Sequence, residues 1–397
     1  GKEGDRTVKV GVIDLPSFYE DFDARRRGDA DYRSASRDVA KLLGELKQEN
    51  VSAVIVDLRD NGGGSLSEAV NLSGLFTGKG PVVQVRDSRG QVDEQDSDEK
   101  MLWTGPMAVL VNRGSASASE IFAAAIQDYG RGLIIGEQTF GKGTVQTLTS
   151  LDQLAMNTKP TFGELKMTVD EFFRVNGDST QLHGVTPDIL FPHSIGYKDY
   201  GESSYPNALK WTHIDPAGYT AVANQKPLVA PLMAEHDTRA ANDPAWKLLL
   251  DELAAARKLH DQKTVSLNYK VRETERKQQE EQDAAFKKRR EALGDVSGVN
   301  LQLDNGLTPG EQNIKASVAR EKAAKEAKDI ELDEASHIMA DEVAMLEKDP
   351  KLAQQVLPQQ AFTKPVSIAN SAPVSAPSAS VSAPASVPVP ASGSSTH

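Results

Sequence analysis

The sequence contains no cysteine. That excludes disulfide staples, thiolate nucleophiles and cysteine-ligated metal sites, though it does not fix a compartment. No run of about eighteen apolar residues exists, so no segment has the length a bilayer crossing needs. The seven histidines are scattered, with no His-Glu-x-x-His and no pair at ligand spacing, and neither a metal nor a cofactor is expected. Basic charge is also short. Lys and Arg number 45 against 57 Asp and Glu, a net charge of −12, which argues against nucleic acid and against an anionic membrane surface as partners. Aromatic residues make up 6% and hydrophobic residues 39% of the 397 positions. That leaves room for a sizeable core in part of the chain only. There is no initiator methionine and no signal peptide; the chain runs from Gly1 into the apolar strand pattern of Val8–Ile13. We expect a fragment of a longer protein, without its N-terminal part.

What is present centres on residues 114–146, GSASASEIFAAAIQDYGRGLIIGEQTFGKGTVQ. Three serines occupy alternate positions, Ser115, Ser117 and Ser119. The compact run from Ile121 to Ile126 predicts a helix buried on most sides, ended by Gly130 and Gly132. Leu133-Ile134-Ile135 predicts a strand, and Gly141-Lys142-Gly143 sets one lysine between two glycines. Ser117 precedes Glu120 by the spacing of a capping box, which puts it at a helix start. Unpaired N–H groups and the positive end of the helix dipole there favour a developing oxyanion. A serine hydroxyl needs a base to take its proton. A lysine can serve if burial lowers its pKa from about 10.4 toward neutrality. Each half alone has a plainer explanation, a helix cap and a solvated loop lysine. The pair, in this order, points to nucleophilic catalysis.

The stretch resembles the catalytic core of the carboxy-terminal processing, or tail-specific, serine proteases. The resemblance implies Ser117, the first serine of S-A-S-E, as nucleophile, Lys142 of F-G-K-G as general base, and Gln146 as the residue that orients the lysine. It implies an oxyanion hole from the N–H groups of Ala118 and of Gly63, in the segment Asp57 to Gly64 (D-L-R-D-N-G-G-G). It also points to Asp128, which lies roughly 16 Å along the helix from Ser117. That distance favours a structural role for Asp128 over proton transfer. The glycine run has no following Gly-Lys-Ser/Thr and no G-x-G-x-x-G, which argues against a nucleotide site.

Around this centre, alternating strands and helices from residue 7 to about 190 predict an α/β fold, and the resemblance implies a crotonase-like ββα spiral. A first strand spans 7–14, a helix 36–49, a buried strand 52–58, a helix 66–76 and strands 81–86, 107–112 and 166–175. Residues 87–100 read as a charged loop or hairpin tip. Near residue 198 the composition changes. Charged helical patterns follow from Pro244, over 272–290 and over 332–346. The domains expected are a protease core over 1–197, an α-helical C-terminal domain over 198–350, and an Ala/Ser/Pro-rich disordered tail over 351–397. The resemblance covers about residues 1–350. The PDZ domain that gates the family's members, and an N-terminal helical domain, have no counterpart in these residues. It implies hydrolysis of peptide bonds in periplasmic proteins of the Gram-negative cell envelope. The partners implied are polypeptides with apolar C-termini or unfolded segments, and a lipoprotein adaptor. Two other readings stay open: an acyl-CoA enzyme on the same spiral fold, and a non-catalytic scaffold.

Overall fold

In the computed structural model, the structure describes residues 2–3, 6–158, 161–193, 196, 199–293 and 329–359. The described residues form one compact unit. A short hairpin, β1 (Lys2–Glu3) and β2 (Arg6–Thr7), precedes two sheets. The first is a five-stranded parallel sheet of β3 (Val10–Asp14), β4 (Ala53–Asp57), β7 (Met107–Val111), β8 (Leu133–Gly136) and β11 (Ile189–Leu190). Its spatial order is β11-β8-β7-β4-β3. The second is antiparallel, in the order β6-β5-β10-β9, from β5 (Gly80–Arg86), β6 (Val92–Ser97), β9 (Thr144–Ser150) and β10 (Glu164–Arg174). The α/β class read from the sequence is the class observed.

The three central parallel strands are buried on both faces, which is why they read as unbroken apolar runs. One face meets α2 (Ala35–Gln48), α3 (Leu66–Thr77) and α4 (Ala118–Asp128) in a core that includes Val54, Val56, Val109 and Ile134. Helix α2 follows the apolar spacing of Val39 and Leu43, and the Ser34 hydroxyl caps it by accepting from the Arg37 N–H. A short helix, α1 (Phe22–Arg26), lies between β3 and α2. Another, α5 (Leu151–Leu154), lies at the tip of the β9–β10 hairpin.

The opposite face presents Ala53, Ile55, Ala108, Leu110, Leu133 and Ile135. Residues from the C-terminal half cover it, through α6 (Lys226–Ala240), α7 (Pro244–His260) and α9 (Ile330–Lys348). Leu228, Leu232, Trp246, Ile338 and Met339 share one core with these strand residues. The expected boundary at 197/198 is therefore no gap in the packing: a sheet with two apolar faces needs a second layer of helices. Helix α8 (Tyr269–Ala292) buries no residue, as its charge predicts. The expected tail needs one correction. Residues Pro350–Val356 form a helix, α10, and Ala353, Val356 and Leu357 pack into the second core. The Ala/Ser/Pro-rich residues 360–397 lie outside the described residues.

Candidate active site

Strand β7 delivers the chain to a sharp turn that ends on Ser117, at the start of α4. Ser117 has φ 58° and ψ −113°. A side chain rarely occupies that region, and holding it there costs about 1–3 kcal/mol. The turn also tells the three serines apart. Ser115 is fully buried, and its hydroxyl donates to the Leu58 carbonyl at 2.7 Å and accepts from the Asn112 N–H at 3.0 Å. Ser119 is fully buried and donates to the Asn61 carbonyl at 2.8 Å. Ser117 is part-exposed, and its hydroxyl makes no cap hydrogen bond. The Glu120 N–H bonds the Ser117 carbonyl instead, at 2.9 Å.

Gly63 lies directly against this turn. A Cβ there would meet the Ala116 carbonyl at 2.8 Å, Ser117 Cβ at 2.9 Å and Ala118 N at 3.0 Å, and φ is +105°. Only glycine fits so close. Its N–H donates to Asn61 Oδ1 at 2.9 Å, so it reaches an oxyanion only by giving up or sharing that bond. Ala118 is the first residue of α4, where an N–H has no acceptor within the helix.

Lys142 is half-buried on the loop before β9. Burial pushes its pKa down from the ordinary lysine value and the Lys166 charge adds to this, while Glu202 and Glu120 oppose it. Phe140, two residues before Lys142 in sequence, packs edge-on against Tyr200 and beside Tyr205. Among the described residues, no hydrogen bond joins the Ser117 hydroxyl to the Lys142 amine. Their backbones are joined by Glu120. Its buried carboxylate accepts from the Ser117 N–H at 2.8 Å, the Lys142 N–H at 2.9 Å, the Gly141 N–H at 2.7 Å and the Thr139 hydroxyl at 2.6 Å. Burial pushes the Glu120 pKa up to about 7, against the pull of those four donors. From the sequence this glutamate reads only as a cap partner. Its second task, holding the lysine loop, depends on a contact between distant segments.

The remaining expected residues sit as follows. Gln146 lies on β9 opposite Thr168, exposed, with no side-chain hydrogen bond among the described residues. Asp128 is at the far end of α4. There it accepts from Arg174 Nε at 2.9 Å and Nη2 at 2.6 Å, and from Asn176 at 3.2 Å. This engagement ties α4 to β10 and leaves Asp128 apart from Ser117 and Lys142. The described residues hold no cluster of metal-ligating side chains, and no described helix is long and apolar enough to cross a membrane. One contact no motif announced links the turn after β4 to α9: Arg59 bonds both Asp57 and Asp329.

The strained serine between a buried strand and a helix, the glycine turn against it and the half-buried lysine held on the same carboxylate make up the candidate site. Residues 9–191 match peptidase family S41, and residues 195–344 match the C-terminal domain of tail specific protease. The chain belongs to family S41, among the carboxy-terminal processing proteases. It is 46% identical over 270 residues to the tail-specific protease of Haemophilus influenzae, covering 67% of this chain and 37% of that protein. It is 35% identical over 194 residues to the chloroplastic carboxyl-terminal-processing peptidase 2 of Arabidopsis thaliana, covering 48% and 34% of the two chains. Among solved structures, the photosystem II D1 C-terminal processing protease is similar at 32% identity and a TM-score of 0.37, over 46% of this chain and 42% of that one. The chain thus spans about a third of the length of the first two relatives.

Proposed function

We propose that this chain carries the catalytic centre of a serine endopeptidase with a Ser117–Lys142 pair. The strained backbone of Ser117 carries this reading. The turn spends stability to present one hydroxyl of three at a helix start, beside Gly63 and on the same carboxylate as the lysine loop. Ser117 Oγ attacks the scissile carbonyl as its proton passes to the neutral Lys142 amine. In an unliganded site such contacts are commonly long and tighten when substrate binds. The oxyanion forms beside the Ala118 N–H, with the Gly63 N–H as second donor once Asn61 Oδ1 releases or shares it. The lysine returns its proton to the leaving amine, and water hydrolyses the ester. Gln146 turns toward Lys142 in the occupied site and orients it. Asp128 holds α4 to β10 and takes no proton. No metal or cofactor enters the chemistry.

The substrates we propose are periplasmic polypeptides, processed or degraded from or near apolar C-terminal tails, with a lipoprotein adaptor as a further partner. The names of the relatives support the tail specificity. The test uses two unfolded substrates that differ only in an apolar or a charged C-terminus. Cleavage of the apolar-tailed substrate, lost in Ser117→Ala, is expected. Since these 397 residues include no PDZ counterpart, they are expected to cleave both substrates alike, and a strong preference for the apolar tail would move tail recognition into residues 1–350. Cleavage that persists in Ser117→Ala would remove the assignment of the nucleophile.

A further inference from the structure

The glycine turn is fastened to a helix 270 residues away in sequence. Arg59 stands between them, and only 17% of its side chain is exposed. Its guanidinium bonds Asp57 through Nε at 3.0 Å and Nη2 at 2.6 Å, and Asp329 through Nη1 at 3.0 Å and Nη2 at 2.5 Å. Nη1 also reaches Glu331 at 3.3 Å. Both aspartates are therefore held two-pronged by one planar cation. Asp57 ends β4, and Asp329 caps α9 by accepting from the Leu332 N–H at 3.0 Å.

Immediately after Arg59 the chain enters the turn beside Ser117. Asp60 has φ 59° and is locked to Asn112 by two hydrogen bonds of 2.9 Å. Asn61 is fully buried. Its side chain donates to the Leu15 carbonyl at 2.7 Å and accepts from the Gly63 N–H. Its carbonyl accepts from the Ala116 N–H and the Ser119 hydroxyl, the residues on either side of the Ser117–Ala118 pair. A shift at Arg59 thus passes within two residues to the atoms that frame the oxyanion. Ion pairs of this kind are weak evidence for stability, but their geometry is specific.

We propose that Asp329 is a positioning residue for the oxyanion turn, acting through Arg59, so that the C-terminal helical segment sets the geometry of catalysis. The proposal rests on the reading of Ser117 as nucleophile. The informative variant is Asp329→Ser. Serine caps a helix about as well as aspartate, yet its hydroxyl is too short to reach Arg59. Asp329→Glu, which keeps the charge, is the rescue. Arg239→Met is the control. It cuts the tie of α6 to Glu334 and Asp341 of α9 without touching the turn.

Turnover of an unfolded polypeptide should fall on the order of tenfold to a hundredfold in kcat in Asp329→Ser, with KM within about twofold. Asp329→Glu should recover most of it. Arg239→Met should lower Tm and leave kcat within about twofold. Amide hydrogen exchange over residues 60–64 gives a readout that needs no turnover. It should quicken in Asp329→Ser and not in Arg239→Met. Unchanged exchange in Asp329→Ser, or a kcat loss matched by Arg239→Met at equal Tm, overturns the proposal. If Ser117→Ala is inactive and Asp329→Ser keeps full kcat, this inference fails alone. If Ser117→Ala stays active, the assignment beneath it fails.

Discussion

Ser115, Ser117 and Ser119 carry one functional group in three settings. Two hydroxyls are spent on buried carbonyls, and the third stands at a strained turn with no cap bond to make. Because the chain has no cysteine, Ser117→Cys introduces a single thiol that reports this setting. The helix N-terminus and the nearby lysine should hold its alkylation midpoint below the free-thiol value of about 8.5, and Lys142→Met should move it upward. A midpoint at the free value in both proteins would mean that the turn does not activate what it presents. Lys142→Arg should lose peptidase activity although the charge is kept, since a guanidinium stays protonated and cannot act as a base. Normal turnover in that variant would place the base elsewhere.

At the scale of elements, α9 brings a buried carboxylate against the sheet. Glu342 is fully buried, and neither of its oxygens nor Arg131 Nη1 has a hydrogen-bond partner among the described residues. Burial pushes the Glu342 pKa up to about 8, with Arg131 pulling the other way. An unfolded glutamate titrates near 4.3. The folded pKa is the higher of the two, so this group's contribution is most favourable at low pH. It is lost progressively from about pH 4 to pH 8, and is level above that. Glu342→Gln keeps the shape and removes the titration. It should lie near the wild-type Tm at about pH 4 and exceed it increasingly toward about pH 8, a difference on the order of 4 kcal/mol. A pH-independent difference would contradict the assignment.

The elements also show what the sequence made legible. Strands β4, β7 and β8 and helices α2 and α3 fall within two residues of their expected bounds, because burial leaves a period or an unbroken apolar run. Helix α6 carries Pro231 and has no clear apolar stripe, so 226–240 gave no helical signal. Strand β9 is polar and largely exposed, an edge strand defined by its pairing with β10. Ser117, Lys142 and Gly63 were readable as motifs. The tasks of Glu120, Arg59 and Asp329 were not, since each depends on contacts between distant segments.

Over the whole molecule, the helical segment is a structural layer of the peptidase domain, down to its last turn. Val356 and Leu357 sit in the same core as the central strands, and the Val356 carbonyl accepts from Gln225 at 3.3 Å. A chain ended at Asp349 should therefore melt several degrees below one ended at Phe362, a loss on the order of 3 kcal/mol of apolar burial. Equal melting would mean that α10 contributes nothing to the fold. The most direct test of the account is the rate of peptide-bond hydrolysis by three single variants, Ser115→Ala, Ser117→Ala and Ser119→Ala, each with its melting curve. The account predicts that Ser117→Ala melts like the wild type and has no activity. The other two should lose stability, by about 1–3 kcal/mol for each orphaned partner, and keep activity in the folded fraction. Full activity in Ser117→Ala, with its loss in a folded Ser115→Ala or Ser119→Ala, would contradict it.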